Sequence, residues 1–263
     1  MRALYIIMLA VCFTSCGSED EKQDGQEVKK PSAPLGIGPA TTTLSDTATM
    51  KLPGAGDLAQ FAIKEITGFY GGVGSYSKGE TKTGKKFYRV EIKNSPVLDS
   101  NVRITELNIS NIAMLFYKHL AGERNNFDEI QSAITFGDGQ KLVKTYPKER
   151  LELVLSKTVV ISKITDLLKA KNYASLTGLL NDKSLIVYDK MILIEKIKNA
   201  EARLETVKEF IPYGFMFAMS EKKKEILHIS GVLLREQGKN NEFSIDFDPS
   251  STKEEALFLN YKL

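Results

Sequence analysis

Few side chains in this chain could carry chemistry: 263 residues hold two cysteines, two histidines and no tryptophan. Both thiols, Cys12 and Cys16, stand near the amino terminus, where a cysteine either pairs with another or accepts a covalent group. His228 lies in Ile226-Leu227-His228-Ile229-Ser230, a strand pattern. It could act there as a general base facing a pocket, or stand as a hydrogen-bonded or solvent-side strand histidine, the role the pattern favours. His119 falls at the end of a helical stretch, suited to the negative end of the helix dipole. Tyr213-Gly214-Phe215-Met216-Phe217 is an aromatic patch that could line a pocket with His228 but fits core packing better. Asp246 alternates away from Phe243, Ile245 and Phe247 and is expected in solvent. With two histidines, no Ser-His-Asp or Cys-His array is expected, nor a metal site or cofactor. Gly71-Gly72-Val73-Gly74 lacks the Lys-Ser/Thr and helix start of a phosphate loop and reads as a turn. Glu254-Glu255 and Lys222-Lys223-Lys224 read as solvated turns.

The cysteines gain meaning from their surroundings. Met1-Arg2 leads into an apolar run, Ala3 to Phe13, followed by Thr14-Ser15-Cys16-Gly17. A cationic start, a short apolar core and a small residue before the break make a secretory signal. The run is far short of the ~20 residues needed to span a bilayer. With cysteine at the break, the segment resembles the lipobox of bacterial lipoproteins, whose cysteine is acylated after the signal peptide is removed. Ser15 before Cys16 suits that cleavage, whereas Cys12 follows the branched Val11; Phe13 departs from the usual leucine. Cys16 is therefore the expected lipid attachment point, with an ordinary cleaved secretion signal as the alternative. Removing residues 1–15 also removes Cys12, so the mature chain would hold no free thiol and no intramolecular disulfide.

Glu19-Asp20-Glu21 follows the anchor. In lipoproteins of the Bacteroidetes type, such an acidic run resembles the signal for export to the outer face of the outer membrane. Alternatively it keeps a tether solvated. From Gly17 to about Gly56, Pro31, Pro34, Pro39, Pro53 and Thr41-Thr42-Thr43 interrupt any apolar periodicity, as expected of a disordered spacer. The expected partition is a signal peptide over 1–15, acylated cysteine and tether over 16–56, and modules over 57–155 and 156–263. Net charge is +3, with lysines interspersed among acids, which argues against nucleic-acid binding.

The fold class expected is α+β, in two small modules. The first begins with a helix bearing Leu58, Phe61, Ala62 and Ile66. Strands follow near Tyr70–Lys78 and Lys86–Lys93, then a helix over Asn108–Leu120 and strands over Asp128–Phe136 and Gln140–Tyr146, a ββαββ order. The second opens with helices from Ser156, Asn172 and Asp189. A meander over Val207–Met219, Glu225–Glu236, Asn241–Phe247 and Ala256–Leu263 completes it. Pro212 marks an edge strand or bulge. This order, with Lys169-Ala170-Lys171-Asn172-Tyr173-Ala174-Ser175-Leu176, resembles small bacterial members of the nuclear-transport-factor-2-like cone fold. That resemblance implies a pocket between helices and sheet, for which Tyr213, Phe215 and His228 are the candidate lining. It carries over no catalytic position. The function expected is a lipid-anchored envelope protein, in the outer membrane through Cys16, binding a protein partner or ligand. The alternatives are a small-ligand carrier or enzyme using the cone pocket, and an immunity-like lipoprotein acting by surface complementarity.

Overall fold

The computed structural model describes residues 55–181, 188–220, 222–237 and 240–261, with side chains from position 58. Cys12, Cys16, Glu19, Asp20, Glu21 and the tether up to residue 54 lie outside the described residues; the last two positions expected in the tether, Ala55 and Gly56, open the first helix instead. Helix α1 (Ala55–Tyr70) ends at Gly71 and Gly72, whose φ values of 71° and 80° suit glycine alone at low cost. Strand β1 therefore starts at Val73 and runs to Glu80, not from Tyr70. Phe61, placed on the apolar stripe from sequence, is 58% exposed; Ala59, Ala62, Ile63, Ile66 and Tyr70 form the buried face instead.

A turn closed by Thr81 N donating to Lys85 O (2.8 Å) leads into β2 (Lys86–Lys93), where Tyr88, Val90 and Ile92 point into the core. Helix α2 (Pro96–Ser100), not anticipated from sequence, is capped by Ser95, whose Oγ accepts from Leu98 N and donates to Tyr70 O. Helix α3 (Thr105–His119) then crosses over to β3 (Glu129–Thr135), which pairs parallel with β2. A parallel neighbour requires such a crossover. β4 (Lys141–Pro147) completes the sheet order β1-β2-β3-β4.

Helix α4 spans Lys148–Lys169, so the boundary expected at residues 155/156 falls inside a continuous helix. Pro147 is tolerated at its start, and Leu151 and Val154 extend the buried stripe that continues through Val160, Ile161 and Ile164. Helices α5 (Tyr173–Gly178) and α6 (Lys190–Glu201) are capped by Asn172 and Asp189. Strands β5 (Val207–Met219), β6 (Glu225–Arg235), β7 (Asn241–Phe247) and β8 (Phe258–Tyr261) form an antiparallel meander in that order. Pro212 sits on edge strand β5 at a register shift, as its missing N–H requires.

The architecture is α+β in two small modules, and their buried residues belong to one hydrophobic core. The seam runs along α3 and β5. Phe215 N donates to Ser110 Oγ (2.8 Å), and a Cβ at Gly214 would stand 2.3 Å from Leu107 O. Arg150 on α4 grips Glu225 on β6 through two hydrogen bonds of 2.5 and 2.8 Å.

Candidate functional site

The period of two along β6 sends Leu227, Ile229 and Leu233 into the core and His228 and Ser230 to the opposite face. The β6–β7 register then sets Asp246 directly across from His228, and Ser244 across from Ser230. His228 Nδ1 lies 2.6 Å from Asp246 Oδ1, and its Nε2 lies 2.8 Å from Ser230 Oγ. A carboxylate only accepts, so in the neutral ring Nδ1 carries the proton and Nε2 accepts from the Ser230 hydroxyl. The expectation that no Ser-His-Asp array exists is thus corrected. Residues two apart on one strand and one across on the next need no contiguous motif. Asp246, expected in solvent, is half-buried against the imidazole.

Beside this array lies a cavity of about 80 Å³ lined by Tyr213, His228, Ser230, Glu242, Ser244 and Asn260. Tyr213 joins it at the Pro212/Gly214 irregularity, where β5 slips its register. Phe215 does not line it. That ring is 3% exposed on the inner side, edge-on to Tyr146 at 5.5 Å. Of the three candidate pocket residues, two meet on the outer face and the third fills the core. Inner-face positions on β6 and β7 are filled likewise by Leu227, Ile229, Phe243, Ile245 and Phe247.

The array has the connectivity of a catalytic triad but not its setting. Ser230 is 5% exposed on a strand paired on both sides, so ladder bonds engage the neighbouring backbone N–H groups. Those groups cannot stabilise an oxyanion. The cavity is also far below the ~300 Å³ at which ligand pockets begin. What the array does is lock one tautomer of His228 and tie β6 to β7.

The most deeply buried charges lie elsewhere. Arg235 and Glu201 pair through hydrogen bonds of 2.6 and 3.1 Å, with side chains 0% and 1% exposed. Asn241, Tyr261 and Glu205 O accept the remaining guanidinium donors. Every partner is protein, so this network is a clamp joining α6 to the sheet. In the first module Glu123 is held by the Tyr88 hydroxyl and by Lys78, and burial raises the Tyr88 pKa. His119 ends α3 beside Glu65, with Phe61 edge-on at 5.1 Å. Lys222–Lys224 lie in the β5–β6 turn, and Glu254 pairs with Lys163. Among the described residues no cluster of three His, Cys, Asp or Glu could hold a metal, and no helix is long and apolar enough to cross a membrane.

Comparisons with known proteins return no relative: no family model, no curated protein and no solved structure matches the chain.

Proposed function

We propose that this chain is a lipid-anchored cell-envelope protein, attached to the outer membrane through acylated Cys16 and directed to the cell surface by Glu19, Asp20 and Glu21. It acts there by binding a protein or ligand rather than by catalysis. The anchor reading rests on the leader. Each buried methylene is worth ~0.8 kcal/mol, so two or three acyl chains hold a protein stably. The binding reading rests on one observation: the inner face of the second sheet is plugged by its own side chains, with Phe215 and Phe243 at 3% and 1% exposure. A cone-type carrier or enzyme needs that space open. Recognition then falls to the outer surface.

The second reading, an enzyme, draws on Asp246–His228–Ser230 alone. One experiment separates the two. The full chain is purified from membranes in detergent, treated with a fluorophosphonate probe, and analysed for bound protein and labelled serine. The binding reading expects a stoichiometric envelope partner and an unmodified Ser230. Probe incorporation that vanishes in Ser230→Ala would replace it with a hydrolase. Protease shaving of intact cells addresses location: the chain is expected to be digested, and changing Glu19, Asp20 and Glu21 together to Ala should protect it. Continued digestion of that variant would sink the export-signal proposal.

A further inference from the structure

The first module buries a carboxylate that is only half satisfied. Glu123 stands on a short 3-10 helix, Ala121–Asn126, between α3 and β3, and is 5% exposed. Its Oε2 accepts from the Tyr88 hydroxyl and from Lys78 Nζ (3.3 Å). Its Oε1 is buried as well, and no donor among the described residues meets it. A buried acceptor without a donor bears the full cost of its lost water, so native folds keep few of them. Glu123 also lines a cavity of about 510 Å³ that opens where β1 ends and β2 begins. That volume falls within the ~300–1,000 Å³ typical of ligand pockets. Lys78, Glu80, Lys86 and Asn126 supply its other polar groups, and Tyr88 and Phe127 part of its apolar wall.

We propose that this cavity binds carbohydrate, with a sugar hydroxyl donating to Glu123 Oε1 while the Lys86 ammonium and the Asn126 amide hold neighbouring sugar oxygens. The inference gives the binding reading a place and a ligand class; it rests on that reading and not on the lipid anchor. The charges of the wall carry the choice of ligand. Lys78 and Lys86 balance Glu80 and Glu123, so the cavity selects neither a cation nor an anion. A ligand ammonium at Oε1 would stand beside Lys78, which already holds the other oxygen of the same carboxylate. A ligand carboxylate or phosphate would bring acceptors to an atom that needs a donor. A neutral polyol meets each demand. Its hydroxyls donate and accept from adjacent carbons, and its C–H surface suits the aromatic wall. Lys86 and Asn126 are exposed, and no hydrogen bond or ion pair among the described residues engages their side chains.

Oε1 is covered in the free protein, so a neighbour must yield to the ligand. Lys78 is the group able to do so. Its ammonium stands 3.3 Å from Oε2, outside the usual ~2.7–3.2 Å, and its side chain is 55% exposed. Swung aside, it stays on the cavity wall, where its charge meets a further sugar oxygen. The Tyr88 hydroxyl keeps its bond to Oε2, so the carboxylate holds its orientation.

The test uses the full chain purified in a detergent without a sugar headgroup. It is titrated calorimetrically with neutral hexasaccharides of glucose, of mannose and of xylose, and separately with spermine and with hexagalacturonate. At least one neutral hexasaccharide should bind, and neither charged probe should. Glu123→Gln tests the acceptor itself. The amide keeps its oxygen toward Tyr88 and Lys78 and turns its NH2 to where Oε1 stood, so binding should weaken about tenfold or more. Asn126→Ala and Lys86→Ala, on the exposed rim, should each weaken binding about threefold or more. Their thermal midpoints should not change, which separates lost contacts from lost folding. No binding of any neutral hexasaccharide, binding of spermine in their place, or undiminished binding in Glu123→Gln would each overturn the site. If the sugars fail while a stoichiometric envelope protein still co-purifies, this site is overturned and the binding reading stands.

Discussion

His228 is held at both ring nitrogens, by Asp246 and by Ser230, on a face that water reaches. Its worth to stability is that of a partly solvated hydrogen-bonded pair. Asp246→Ala should lower stability by about 0.5–1.5 kcal/mol, read from the urea midpoint. Gly214 is less forgiving, because any Cβ meets the Leu107 carbonyl at the seam. Gly214→Ala should cost about 1–3 kcal/mol, with a matching drop in the thermal midpoint. Burial, aided by Glu152, pushes the Tyr117 pKa up from 10.0 to about 12. Burial raises Tyr70 and Tyr146 as well. Above pH 10 the unfolded chain loses these protons while the folded chain keeps them, so stability is full below pH 10 and falls as pH climbs toward 12. Urea titrations at pH 8 and pH 11 should show the lower midpoint at pH 11. The strand setting of His228 was legible in Ile226-Leu227-His228-Ile229-Ser230. Its partners were not, because Asp246 reaches it only through the β6–β7 register, which no local pattern states.

Elements were legible where a single period ran uninterrupted. β2 and β7 match the expected bounds because apolar alternation persists from end to end, and β5 matches them although its register slips at Val207/Glu209 and Pro212/Gly214. Breaks were misplaced where backbone chemistry outweighed the side-chain pattern. Gly71 and Gly72 moved the start of β1, and Pro147 both closed β4 and opened α4. Also unreadable was the Arg235–Glu201 clamp, formed by residues 34 apart in sequence. Its members are buried and satisfied, so removing one strands the other. Arg235→Met should cost about 3–5 kcal/mol, whereas Glu201→Leu combined with Arg235→Met should recover much of that loss. Chemical denaturation of the three variants measures the difference.

At the scale of the molecule, the modules share one core and α4 serves both, so they should not unfold separately. Residues 57–155 expressed alone should lack cooperative unfolding, while the whole chain should show one transition by both circular dichroism and tyrosine fluorescence. The sequence alone was enough for the α+β plan, because helix and strand periods alternate in clear blocks. It did not reveal that the candidate pocket was divided. Tyr213 and His228 face outward while Phe215 faces inward, a split set by alternation and the β5 irregularity. A plugged interior leaves the outer surface and the amino-terminal anchor as the working parts of this account. The anchor is tested most directly by radiolabelled palmitate fed to cells expressing the full chain. Label should enter the wild-type protein, persist in Cys12→Ala and vanish in Cys16→Ala; label that survives Cys16→Ala, or never enters, would contradict it.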